Sequence, residues 1–146
     1  MFDRTITLFN FHKPSGNWYP TVIAGVDIQI ESGMSPATPG VQNDAHVASV
    51  LIPSKKDKSI VLQDKSVKSY LGPKAYARCE DPEGHFTFQL DKDFFYEGEW
   101  PDLNPVSDDD YDEGFYNEVN KLYDDVFSVK TAAFYGLIPH FEIGGR

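Results

Sequence analysis

The stretch Asp91–Asp125, DKDFFYEGEWPDLNPVSDDDYDEGFYNEVNKLYDD, concentrates the charge of this chain and carries its best helix signal. It holds thirteen acids against Lys92 and Lys121, a net charge of −11 in 35 residues, while the whole 146-residue chain carries −10. Everything outside it therefore sums to +1. Aromatics run through the same stretch: Phe94, Phe95, Tyr96, Trp100, Tyr111, Phe115, Tyr116 and Tyr123. A disordered acidic tail lacks such residues, because it buries nothing. The tract reads as a folded, strongly negative face on a small β scaffold.

Within it, Phe115, Val119, Leu122 and Tyr123 recur at i, i+4, i+7 and i+8, which predicts a helix over about 111–125. Asp108 to Asp112 precede it, as cap and as negative charge at the positive end of the helix dipole. Phe94 to Glu99 is expected to be a strand ended by Pro101, and His85 to Leu90 alternates aromatic with polar residues as another. Upstream, Ile6 and Leu8 alternate with Thr5 and Thr7, and a Pro14-Ser15-Gly16-Asn17 turn leads to a second extended run, Trp18 to Ile23. Pro20 cannot donate to a ladder and belongs at an edge or a bulge. Gly25 breaks the run before Val26 to Glu31, the clearest strand of this half.

Residues 32–43 carry two prolines and two glycines with no apolar period, predicting a long loop. Ala45 to Ile52, Ile60 to Leu62 and the region of Tyr70-Leu71 read as strands, and Pro73 opens a single helical turn through Arg78. Val126 to Thr131 and Gly136 to Ile143 close the chain as two more strands. Roughly eight short strands separated by turns predict a β-rich α+β fold: a small antiparallel β-barrel or sandwich, with one helix near the C-terminus. At 146 residues the chain is expected to be a single domain over 1–146.

Composition narrows the function classes. A pI near 4.6 argues against nonspecific binding to DNA, RNA or an anionic membrane, all of which need excess Lys and Arg, and no specific nucleic-acid binding is expected. The lone Cys79 forms no internal disulfide, no run approaches the roughly 20 apolar residues that span a bilayer, and the N-terminus lacks a signal pattern. A soluble, intracellular protein is expected.

No catalytic constellation emerges. Counted from Asp108 as a calcium loop, the acidic run places Glu113 where glycine belongs and Val119 where glutamate belongs. His12, His46, His85 and His140 are scattered without metal-ligand spacing. Glu97 and Glu99 sit in too acidic a tract to mark a glycosidase pair, and no phosphate loop or nucleophile elbow is present. Neither a cofactor nor an enzymatic activity is expected. Lys55, Lys56 and Lys58 make a small basic turn, a natural partner for the acidic face of a neighbouring copy.

The order of segments resembles a known family. The opening Asp3-Arg4-Thr5-Ile6-Thr7-Leu8, the second strand Trp18-Tyr19-Pro20-Thr21-Val22, the segment Asp93-Phe94-Phe95-Tyr96-Glu97-Gly98-Glu99 and the close Ile138-Pro139-His140-Phe141-Glu142-Ile143 are similar to those of head-completion proteins of tailed bacteriophages. The head–tail connector and head-closure (stopper) proteins belong there, and the wording is nearest to structural proteins of phages of Gram-positive hosts. The likeness covers both ends and Phe94–Pro101, about half the chain; the acidic tract with its helix lies outside it.

The resemblance implies a β-barrel that assembles as a homo-oligomeric ring in the virion, between portal and tail or neck proteins, built in the host cytoplasm. Asp108, Asp109, Asp110, Asp112 and Glu113 would then line an interface or a lumen, where negative charge lets DNA slide without sticking. Lys55, Lys56 and Lys58 would supply the opposite patch of a heterologous ring contact. Met34, Pro36, Pro39 and Val41 of the long loop are the candidate gate. A tail terminator or tail-completion protein, and an acidic DNA mimic that blocks a host DNA-binding protein, are the alternatives.

Overall fold

The alternation that starts at Arg4 becomes β1 (Arg4–His12), and the Pro14–Asn17 turn returns the chain into β2 (Asn17–Gly33). The computed structural model describes residues 1–33 and 45–146. The two runs expected on either side of Gly25 are one 17-residue strand. Gly25 bends it without ending it, because at φ +73 it takes a left-handed conformation that costs glycine little. Asn17 to Val26 pair with β1, and Asp27 to Gly33 pair with β3 (Ala45–Pro53), so one strand serves two neighbours in turn. Pro20 stands opposite Phe9 and outside the stretches paired to β3 or β8, where its missing N–H removes no ladder bond.

Further along come β4 (Ser59–Val61), β5 (Val67–Tyr70), α1 (Pro73–Arg78), β6 (His85–Phe86), β7 (Phe94–Glu97), β8 (Val106–Ser107), α2 (Phe115–Leu122), β9 (Val126–Tyr135) and β10 (His140–Gly145). The order β1-β7-β9-β10-β3-β2, all antiparallel, closes on itself through the β1–β2 pairing. The result is a six-stranded barrel with β8 added on the outer edge of β2, not a sandwich.

Period-2 alternation explains its two cores. Ile6, Leu8, Ile23, Val50, Phe127 and Ile143 belong to the interior cluster, which the small sheet β4-β5-β6 completes with Ile60 and Phe86. Phe9, the outward neighbour of Leu8, joins Trp18, Phe94, Phe115, Val119 and Val126 in a second cluster outside the barrel wall. The interior is tight enough that Gly145 is required: a Cβ there would lie 2.6 Å from Phe95 and 2.7 Å from Phe127.

The expected strand from His85 to Leu90 leaves its ladder after Phe86. The reason is a buried carboxylate. Asp93, fully buried, accepts from the Phe11 and Gln89 backbone N–H groups, from Asn10 Nδ2 and from Gln89 Nε2, at 2.8–2.9 Å. Asn10 Nδ2 also donates to the Thr87 carbonyl at 2.6 Å. The backbone of Thr87–Gln89 is thus occupied with Asn10 and Asp93, which pins residues 54–93 across the barrel as a lid.

Gly145→Ala should cost about 2 kcal/mol or more, because Phe95 and Phe127 are themselves packed on all sides; an unchanged urea midpoint would contradict that crowding. Burial raises the Asp93 carboxyl from 3.8 to about 7 against the pull of its four N–H donors. Its folded value lies above its unfolded one, so its share of stability is complete below about pH 4 and is lost as pH rises through about 7. Asp93→Asn turns two acceptors partly into donors that face other donors, and is expected to cost roughly 2–4 kcal/mol. Denaturant titrations should show its deficit relative to wild type narrowing as the pH is raised across that window; a constant deficit would contradict the assignment.

Candidate interaction surfaces

The acidic tract is not one uniform face. Asp93 lies in the interior, and Glu97 pairs with Arg4, while Asp91 accepts from Lys130 Nζ at 2.7 Å. The helix is also shorter than its periodicity predicts. Asp108–Asp110 form a separate 3₁₀ turn, Gly114 at φ +88 separates it from α2, and Tyr123 is already extended. Phe115 and Val119 are buried as expected, but Leu122 is exposed and Tyr123 lies past the helix end, its ring against Tyr96 and Trp100.

Asp108 is therefore no ordinary N-cap, yet it serves the same end. Its Oδ1 accepts from the Phe115 N–H, the first of α2, and from Trp18 Nε1, both at 2.9 Å. Its own N–H donates to the Gly16 carbonyl. Burial works against this carboxylate, but the Trp18 and Phe115 donors and the nearby Lys92 charge outweigh it and hold its pKa below the usual range. Lys92 lies over the Phe11 and Trp18 rings, at 4.2 and 5.6 Å. Of the five acids expected at an interface, Asp108 is thus turned to a structural task. Asp109, Asp110, Asp112 and Glu113 are exposed beside the β1–β2 turn.

Lys55, Lys56 and Lys58 are exposed in the turn between β3 and β4. The turn is held by Lys58 N–H to the Lys55 carbonyl at 3.0 Å and by Asp57, whose carboxylate accepts from the Ser59 hydroxyl and N–H. Those hydrogen bonds lower the Asp57 pKa. None of the ion pairs among the described residues involves the three lysines; Lys58 instead lies over the Phe134 and Tyr70 rings. Ser54 N–H donates to the Pro139 carbonyl at 3.1 Å, which fixes this basic turn against the β9–β10 hairpin.

The strand order puts that hairpin across the barrel from the β1–β2 hairpin. The basic turn lies beside Ile23–Gly25 of β2, and the exposed acids lie near the start of that strand, beside Gly16, so the two charged patches are separate surfaces of the barrel. Met34, Pro36, Pro39 and Val41, the candidate gate, fall outside the described residues.

Two surfaces escaped the sequence reading. The first is the tip of the β9–β10 hairpin. Residues 136–139, expected to start a strand, form a turn that leaves Leu137 95% and Ile138 78% exposed. The signal was present in the flanking Gly136 and Pro139, which favour a turn over a ladder. The second is a groove of about 400 Å³ beside Pro20–Val22 of β2, walled by Leu62, Trp100, Pro101 and Leu103. Lys68 at its floor donates to Thr21 Oγ1 at 2.8 Å, and burial lowers its amine to about 8 against the nearby Glu83 and Asp64. No sequence period could unite these residues, which come from four separate segments.

Among the described residues no group of three His, Cys, Asp or Glu is placed to hold a metal ion, and no helix is long and apolar enough to cross a membrane. Burial pushes the free Cys79 thiol up. The Trp18–Asp108–Phe115 contacts generate a direct test. Asp108→Ala should lower stability by about 1–2 kcal/mol and shift the tryptophan emission, since one carboxylate orders both an indole and a helix start; unchanged emission and stability would show that the charge was only a surface feature.

No curated protein and no solved structure matches the chain. The model of a family of unknown function, DUF6751, matches residues 1–146, and the chain belongs to that family.

Proposed function

We propose that this chain is a virion structural subunit that assembles head to tail into a ring at the head–tail junction, between portal and tail. The observation that carries this reading is the placement of opposite charges on two separate patches of a closed barrel. Lys55, Lys56 and Lys58 flank the β9–β10 hairpin, and Asp109, Asp110, Asp112 and Glu113 flank the β1–β2 hairpin. A patch that meets a different patch on the next copy generates a ring when the rotation closes, whereas self-complementary patches give two-fold dimers. Complementary charge sets the register and speed of such contacts more than their strength.

The resemblance of both ends of the chain to head-completion proteins supplies the station. A net charge of −10 fits a channel through which DNA passes without adhering. A tail terminator would use the same contacts at a different level of the neck. Mixing the protein with portal rings and with tail tubes encoded beside it separates the two by negative-stain imaging: rings on portals are expected, rings on tubes alone would move the subunit to the tail, and binding to neither would overturn the reading.

Within the ring, Lys55→Glu with Lys56→Glu is expected to weaken self-assembly roughly tenfold and to blunt its salt dependence. Sedimentation profiles identical to wild type at low and high salt would remove the charge pairing.

A further inference from the structure

We infer that Lys68 is a nucleophilic lysine, and that the groove beside β2 holds a neutral, apolar aldehyde against it as an imine. This goes beyond the ring reading and does not depend on how copies of the chain assemble. It stands on the placement of one side chain. Of the ten lysines, nine are exposed and Lys68 alone is not. β5 carries it inward, between the exposed Val67 and Ser69, to the floor of the groove. There its Nζ donates to Thr21 Oγ1 at 2.8 Å, and Thr21 is itself only 2% exposed. The amine is thus held in place by a hydroxyl built into the barrel wall.

No carboxylate neutralises that amine by contact. None of the ion pairs among the described residues includes Lys68, and Glu83 and Asp64 act on it from farther away. Burial outweighs their pull and lowers the amine from the ordinary 10.5 to about 8. At pH 8 about half of it therefore carries a free lone pair, against roughly 0.3% of an ordinary lysine. An ammonium ion cannot attack a carbonyl carbon, whereas a desolvated neutral amine can.

The rest of the groove selects the partner. A volume of about 400 Å³ is that of a small-molecule cleft. Pro20, Val22, Leu62, Trp100 and Leu103 line it and suit an aromatic or aliphatic body. The Trp100 ring meets Phe9, Tyr96 and Tyr123 edge-on at 5.3–5.7 Å, so that wall is firm. Asp64, Glu83 and Glu99 also line the groove; they repel an anionic carbonyl compound and favour a cationic iminium. In the reaction the amine nitrogen bonds to the carbonyl carbon, and the carbonyl oxygen leaves as water with both amine hydrogens. Proton uptake from solvent then gives the iminium. No electrons change hands, so the aldehyde is the only reactant required.

The test is labelling of the full chain with benzaldehyde and cyanoborohydride at pH 8, followed by peptide mapping. Lys68 should be modified at least tenfold faster than any other amine of the chain, and 4-carboxybenzaldehyde should show no such preference. Lys68→Arg, which keeps the charge, should remove the fast adduct while near-ultraviolet circular dichroism stays native. Leu103→Ala, at a wall residue 57% exposed, should slow the adduct severalfold. Adducts spread evenly over the lysines, or a fast adduct that survives in Lys68→Arg, would overturn the inference. An unchanged rate in Leu103→Ala, or an equal preference for the anionic aldehyde, would overturn the groove as the binding site.

Discussion

The pairing of β1 with β2 on one side and β7 on the other is the constraint on which this molecule depends. It closes the sheet, and closure satisfies strand edges that would otherwise invite indiscriminate association. It also forces the interior to be filled by side chains: Phe95 and Phe127 stack at 5.4 Å with Gly145 beneath them, and the lid adds Ile60 and Phe86. The barrel is thus a packed scaffold. What remains for recognition is whatever hangs outside it, namely one protruding hairpin and one long acidic connection wrapped over β1 and β2.

That connection holds its shape through aromatic contacts and two carboxylates with unlike duties. Phe9 and Phe94 stack at 4.6 Å on the barrel wall, and Phe115 meets Phe9 edge-on at 5.4 Å, so α2 is anchored by one strip of rings. Asp108 then ties the start of α2 to Trp18, and Asp93 ties the lid to β1. Once those acids are used internally, Asp109, Asp110, Asp112 and Glu113 remain as exposed charge. The tract therefore acts as a folded surface with a fixed position, which a head-to-tail contact requires and a disordered tail could not provide.

Much of the barrel was legible because its strands alternate. Ile6 and Leu8, Val26 and Ile28, and Phe94 onward announce an inward face by period alone, and Pro73 announced α1. The failures share a physical cause: they depend on partners distant in sequence. Nothing local tells that Asp93, one acid in a run of thirteen, meets Asn10 from 83 residues away. Nothing local tells that Asp108 would bind an indole 90 residues upstream, or that Thr87–Gln89 would give up a ladder for that network. The helix boundary failed differently. Leu122 and Tyr123 continue the apolar period, but Gly114 and the extended Tyr123 confine the helix to eight residues. The groove was illegible because its walls come from β2, the β4–β5 hairpin, Glu83 and the segment after β7, which only the fold brings together.

The central claim is that two different, oppositely charged patches of one closed barrel join successive copies head to tail. Native mass spectrometry of the wild-type protein over a concentration series tests it most directly. The account predicts a discrete oligomer of more than two copies that dissociates without a stable two-fold intermediate. A monomer throughout, or a dimer that grows no further, would contradict it.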